Sequence, residues 1–341
     1  MREFQQYLLS LLILTGLVSA FVLLRFADGY PFSVGPQFDA HIRPKYKEVL
    51  EREQPQILVF GDSVVYTDVD AGLMADQLGA RVSTITEPGA GSALLYLILK
   101  NNIATAKYKP DVLILLFHDT LLTTPDFRIS GTFFERMDEY AGTEDDGVLD
   151  VAVRDQMNPL ERLAEAYLPP YWGRWELREL LLSRVINFPT RLLFDCALSC
   201  TEGAMGKAFG HENFEQGQLN NAINTADNFL YRKENLDFER QVDRSFLPKI
   251  IHVCKENKIR LVLVRVKMLR FSNENPEPLA LTNYINNLSV YTQRQGIILL
   301  DFAHDDRLST DLFRDTQHLN QNGQKIFTNL LIEAIGTVSA P

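Results

Sequence analysis

Ile57-Leu58-Val59-Phe60-Gly61-Asp62-Ser63 decides how this chain folds. Its first four side chains are apolar without alternation, so both faces are buried, as in a central strand of a parallel sheet. The run then breaks into a polar turn that carries a serine. Similar apolar runs recur at Val112–Phe117, Ile259–Val266 and Ile297–Asp301, and Val82–Thr86 reads as a second strand. Between and after them the spacing predicts helices over 70–78, 92–100, 246–257, 278–295 and 320–335, with Ser92 as a cap. Strands alternating with helices give an α/β fold, a parallel sheet with helices on both faces. Ligands of such sheets bind beyond the carboxyl ends of the strands. That rule selects Ser63, Gly89–Ser92, His118–Asp119 and the loop after Asp301.

A serine hydroxyl needs a base within hydrogen-bond reach, and the base needs a partner that fixes its tautomer. Asp315-Thr316-Gln317-His318 supplies a carboxylate and an imidazole three residues apart. A helical turn there would put both on one side. Asp315 would then orient His318, and His318 would take the Ser63 proton. The Ser63 N–H, at the end of a strand, can face a developing oxyanion. Asp62 reads as support for the turn. His304, near Asp305 and Asp306, is a weaker rival base because no matching helix pattern follows it.

Gly61-Asp62-Ser63 resembles the first block of the SGNH/GDSL hydrolases. Asp315-Thr316-Gln317-His318-Leu319-Asn320, followed by Gly323, resembles their last. The resemblance covers about residues 55–125 and 245–338, and it implies a three-layer, flavodoxin-like SGNH fold. It also implies further oxyanion donors, a glycine after the second strand (Gly91 or Gly89) and an asparagine after the third. Here Leu116-Phe117-His118-Asp119 puts His118 at the asparagine position, where an imidazole N–H is the expected donor and Asp119 a supporting residue. The G-x-S-x-G elbow of the other large serine-hydrolase class is absent.

Outside these blocks, Tyr7 to Leu24 is an uncharged apolar stretch of 18 residues. As a helix it spans about 27 Å, close to a bilayer core. It reads as an uncleaved transmembrane anchor (residues 1–26), and a signal peptide cut near Val18-Ser19-Ala20 is the rival reading. Residues 27–54 read as a polar stalk. Residues 55–338 form the SGNH-like domain, interrupted at 128–240 by a mainly helical insertion with helices over 159–166 and 175–186 and aromatics at 167–175. Cys196 and Cys200 are spaced for a disulfide in an oxidising compartment, and Cys254 stands alone.

A net charge of −10 argues against a nucleic-acid partner. No metal motif, P-loop or dinucleotide fingerprint is present, so no cofactor is expected. Anchored proteins of this layout resemble the partners of membrane-bound O-acyltransferases, which place acyl groups on alginate, cellulose or teichoic acid. The resemblance implies an extracytoplasmic O-acyltransferase, acetyl above all, acting on a cell-envelope polysaccharide. A membrane-tethered esterase or deacetylase uses the same residues. A catalytically inactive glycan-binding or scaffold subunit is the third reading.

Overall fold

Five parallel strands lie in the order β2-β1-β3-β4-β5. They are β1 Ile57–Gly61, β2 Val82–Thr86, β3 Val112–Phe117, β4 Arg260–Arg265 and β5 Ile298–Asp301. This is the flavodoxin-like order, whose direction reverses between β1 and β3 and opens a crevice at their carboxyl ends. The computed structural model describes residues 2–26, 29–39, 41–174, 177, 228–271 and 276–339. Cys196, Cys200 and the helix expected over 175–186 lie outside the described residues, apart from Leu177.

The helices in chain order are α1 Arg2–Arg25, α2 Lys45–Glu53, α3 Ser63–Asp68, α4 Ala71–Leu78, α5 Ser92–Ile98, α6 Thr132–Asp138, α7 Asp146–Ala152, α8 Pro159–Tyr167 and the short α9 Pro169–Trp172. Beyond the undescribed stretch come α10 Phe238–Val242, α11 Leu247–Glu256, α12 Leu279–Arg294 and α13 Gln321–Ser339. Residue contacts divide the chain into two units, Met1–Pro36 with Arg154–Ala226 and Gln37–Val153 with Asp227–Pro341.

The second unit holds the sheet. Alternate strand residues face opposite layers. Ile57, Val59, Ile114, Leu116, Val262 and Val264 share one core with Val64, Val65 and Met74 of α3 and α4 and with Phe327 and Leu331 of α13. Leu58, Phe60, Leu113, Leu115 and Leu263 are also buried, and α11 packs on β4 and α5. The parallel α/β sheet read from the apolar runs is therefore present.

Two local expectations fail. Residues 45–53, read as part of a stalk, form α2 with Tyr46 and Leu50 buried. The Asn102 side-chain oxygen accepts the N–H groups of Tyr46 (3.1 Å) and Lys47 (3.2 Å), which fixes the start of that helix. Ser92 is not the cap of α5 but its first residue. Gly91 precedes it, and the Ser92 hydroxyl donates instead to the Thr124 carbonyl at 3.4 Å.

In the first unit, α1 is long and apolar enough to cross a membrane, with a mean hydropathy of 2.4 over its most apolar window, and a signal sequence would meet the same criterion. Most of its large apolar side chains are exposed. Phe32 stacks on Trp172 at 4.4 Å and Tyr30 meets Tyr167 edge-on.

Candidate active site

Asp62 ends the turn after β1 and caps α3, its carboxylate accepting the Val64 N–H at 3.3 Å. Ser63 is thereby the first residue of a helix at the carboxyl edge of the sheet, beside the crevice between β1 and β3. The Ser63 Oγ lies 2.8 Å from His318 Nε2. The His318 Nδ1 lies 2.9 Å from both Asp315 carboxylate oxygens. In this geometry Nδ1 carries a proton that it donates to Asp315, and Nε2 is free to receive the serine proton.

The Asp315–His318 segment is not the helical turn that the spacing suggested. It is a loop pinched by an antiparallel bridge between Phe313 and Leu319, with the Arg314 N–H on the His318 carbonyl at 2.8 Å. Asp315 Oδ1 also accepts the backbone N–H groups of Gln317 and His318, each at 2.9 Å. The carboxylate thus builds its own loop, and the loop carries the imidazole to it. Asn320 then opens α13, accepting the N–H groups of Asn322 and Gly323.

Burial opposes the charge on Asp315. The His318 ring and the two loop N–H groups outweigh it and hold the carboxyl down at about 2. Burial likewise opposes a charged His318, but the Asp315 hydrogen bond and charge, helped by Asp68 and Asp62, raise its pKa above the ordinary imidazole value.

The other expected residues divide. Among the described residues, no acceptor meets the backbone N–H of Ser63, Gly89 or Gly91, so all three remain available as oxyanion donors. A Cβ on Gly91 would overlap the Phe127 carbonyl oxygen, so only glycine fits that approach. His118 is 5% exposed, and its Nε2 faces Asp62 Oδ2 at 3.4 Å. Its Nδ1 is buried with no hydrogen-bond partner among the described residues. Asp119 turns away into an ion cluster with Arg265, Glu277 and Asp301. His304 is largely exposed and bonds Glu277 at 3.0 Å, apart from the relay.

Three nearby residues escaped the sequence reading. Asp68, at the end of α3, is buried under the histidine loop. Arg265, the last residue of β4, is 2% exposed. Arg128 lies against Gly89. A charge that closes an apolar strand, as in Arg260-Leu-Val-Leu-Val-Arg265, was the available signal for Arg265. Arg128 and Asp68 carried no such signal.

The fold and this arrangement define an α/β protein with a serine–histidine–aspartate relay at the switch point of a parallel sheet. No family model and no curated protein sequence matches the chain. Several solved structures are similar to it, among them GDSL lipolytic proteins and an esterase. A GDSL-like lipase from Bacteroides thetaiotaomicron is 11% identical, with TM-score 0.37 over 84% of this chain and 90% of that one. A member of the lipolytic protein G-D-S-L family from Veillonella parvula is 12% identical, with TM-score 0.39 over 82% and 97%. An acetyl xylan esterase, AlAXEase, is 12% identical, with TM-score 0.35 over 83% and 100%. Likenesses this distant carry no argument about activity, which rests on the geometry above.

Proposed function

We propose that this chain is a serine-dependent acyl-transfer enzyme of the SGNH type, with Ser63 as nucleophile, His318 as base and Asp315 as its orienter. The observation that carries the reading is the unbroken relay from Ser63 Oγ through His318 to Asp315. His318 takes the Ser63 proton as Oγ attacks an acyl carbonyl. The oxyanion meets the N–H groups of Ser63 and of Gly91 or Gly89, with His118 as a further donor. The tetrahedral species collapses, His318 returns the proton to the leaving oxygen, and the acyl group stays on Ser63. An acceptor hydroxyl then gives its proton to His318 as it attacks the acyl-serine carbonyl. The Ser63 Oγ–acyl bond breaks, Oγ takes the proton back from His318, and the acceptor leaves as the new ester. Water as acceptor makes the same site an esterase.

The finer reading is an O-acyltransferase, acetyl above all, acting on an extracytoplasmic polysaccharide. The apolar, exposed α1 supports it, since an uncleaved anchor would hold the site at the membrane surface. An integral membrane acyltransferase is the proposed donor partner. This step rests on layout and family analogy.

The test is acetyl release from p-nitrophenyl acetate, and acetyl transfer to an oligosaccharide, by the full chain in detergent. Both are lost in Ser63→Ala if the reading holds. Undiminished activity in Ser63→Ala removes it, and hydrolysis without transfer leaves the esterase.

A further inference from the structure

Arg128 is a partly buried cation that no carboxylate among the described residues meets in a salt bridge; Asp62 acts on it only at longer range. It follows Phe127 in a left-handed backbone conformation, with φ of 54°. Its guanidinium lies 4.9 Å from the Phe127 ring centroid and 5.1 Å from that of Phe133. A Cβ on Gly89 would run into its Nη1. Among the described residues no carboxylate pairs with it and no hydrogen bond engages it.

The surrounding cations contrast with it. Arg136 bonds Glu87 and, at 2.7 Å, the Pro88 carbonyl. Lys45 reaches Glu87 at 3.4 Å. Arg265 is held by three carboxylates. Glu87, the acid that opens the loop carrying Gly89, is therefore already taken, with Tyr46 and Tyr140 also donating to it.

A guanidinium withdrawn from water without an anion is unfavourable. Burial accordingly lowers the Arg128 pKa. Asp62 partly offsets this and Arg136 adds to it, so the group lies within electrostatic reach of the residue before Ser63. Two aromatic rings hold the cation against Gly89, whose N–H is one of the free donors. A planar fork so held suits bidentate recognition of a carboxylate or phosphate.

We propose that Arg128 docks an anionic group, a carboxylate or a phosphate, carried by the acyl acceptor close to the reacting hydroxyl. The proposal rests on the reading of Ser63 as the nucleophile, and it narrows the acceptor to an acidic polymer.

The experiment compares deacetylation of an acetylated uronate oligosaccharide, an acetylated glycerol phosphate oligomer and an acetylated neutral xylo-oligosaccharide, with kcat and KM measured for wild type, Arg128→Gln and Arg128→Lys. One anionic ester is expected to exceed the neutral one by tenfold or more in kcat/KM, and which one identifies the anion. Arg128→Gln should collapse that ratio through KM, while Arg128→Lys retains part of it. Equal kcat/KM for all three in the wild type, or a uniform loss in Arg128→Gln, overturns the proposal. Calorimetric binding of the unacetylated uronate and phosphate oligomers to Ser63→Ala, with and without Arg128→Gln, reads the site independently of turnover. Binding of neither oligomer overturns the proposal, as does binding that ignores Arg128→Gln. Silence of the wild type on p-nitrophenyl acetate would instead remove the serine chemistry beneath it.

Discussion

The carboxylate of Asp68 accepts the backbone N–H of Leu319 at 3.1 Å, tying the end of α3 to the residue after His318. Asp68 is 1% exposed, and the Thr67 hydroxyl also donates to it at 2.7 Å. One buried group therefore spans the distance between the nucleophile's helix and the base's loop. Burial pushes its pKa up to about 7 against the hydrogen bonds that favour its charge.

A raised carboxyl destabilises as it ionises. The protonated form contributes stability that is complete below about pH 4, its unfolded range, and is lost as pH rises through about 7. Asp68→Asn keeps the acceptor for Leu319 without the charge. Its urea midpoint should exceed that of the wild type at pH 8, with the gap closing toward pH 4. Asp68→Ala leaves the Leu319 N–H unpaired and should cost about 1–3 kcal/mol at either pH.

The raised pKa of His318 sets the acid limb of activity. Only neutral His318 can take the Ser63 proton, so kcat/KM on p-nitrophenyl acetate should rise with pH to a midpoint above the ordinary imidazole value of 6.5. Asp315→Asn should lower that midpoint and reduce kcat on the order of ten-thousandfold, as expected when the orienter of a triad is lost. The two groups act on stability in opposite senses. The contribution of His318 is present below pH 6.5 and fades as pH rises through its folded value. That of Asp315 is present above 3.8 and fades as pH falls toward about 2.

Arg265 anchors the carboxyl ends of the sheet. Its guanidinium meets Asp119 at 2.6 Å, Glu277 at 2.5 Å and Asp301 at 3.2 Å. Tyr231 also donates to Asp119. The three acids outnumber the cation and raise its pKa despite burial. Arg265→Met should destabilise by about 3–5 kcal/mol, because it strands buried carboxylates. Asp119→Asn in the same chain should recover part of that loss in the urea midpoint.

The apolar helix α1 makes a separable prediction. If it anchors the protein, the full chain should remain in the membrane fraction after an alkaline carbonate wash. Amino-terminal sequencing of the recovered protein should begin before Val18. A mature terminus just after Ala20 would identify a cleaved signal instead.

Much of the fold was legible because burial on both faces leaves an unmistakable apolar run. Val112–Phe117 shows this and matches its strand residue for residue. Val82–Thr86 also matches its strand, though it is an edge strand rich in hydroxyl-bearing residues with Thr84 exposed. The positions of Ser63, Asp315 and His318 followed from strand ends and a short motif. Their convergence was expected too, and is present; what spacing could not show is how it is achieved, by the pinch between Phe313 and Leu319 and the Asp68 tether. Arg128 and Asp68 were not legible. Their importance lies in what surrounds them (an unneutralised cation, a buried acid), and neither condition leaves a mark in local spacing. α2 was missed because its run is polar apart from Tyr46, Val49 and Leu50, and its place is fixed by Asn102, a side chain more than fifty residues away.

Gly91 and Gly89 face different neighbours, so alanine at each should fail differently. At Gly91 the added carbon meets the Phe127 carbonyl oxygen, part of a rigid backbone, and must push the start of α5 or the loop itself aside. If its N–H serves the oxyanion, displacing it should cut kcat by about a hundredfold or more, alike for charged and neutral esters. At Gly89 the added carbon meets a side chain, the Arg128 guanidinium, in a backbone with φ of 72°. The left-handed conformation costs on the order of 1–2 kcal/mol for alanine, and the guanidinium must swing away. Gly89→Ala should therefore raise KM for the anionic ester more than for the neutral one. A loss in Gly89→Ala confined to kcat, alike on every ester, would instead assign the donor role to Gly89.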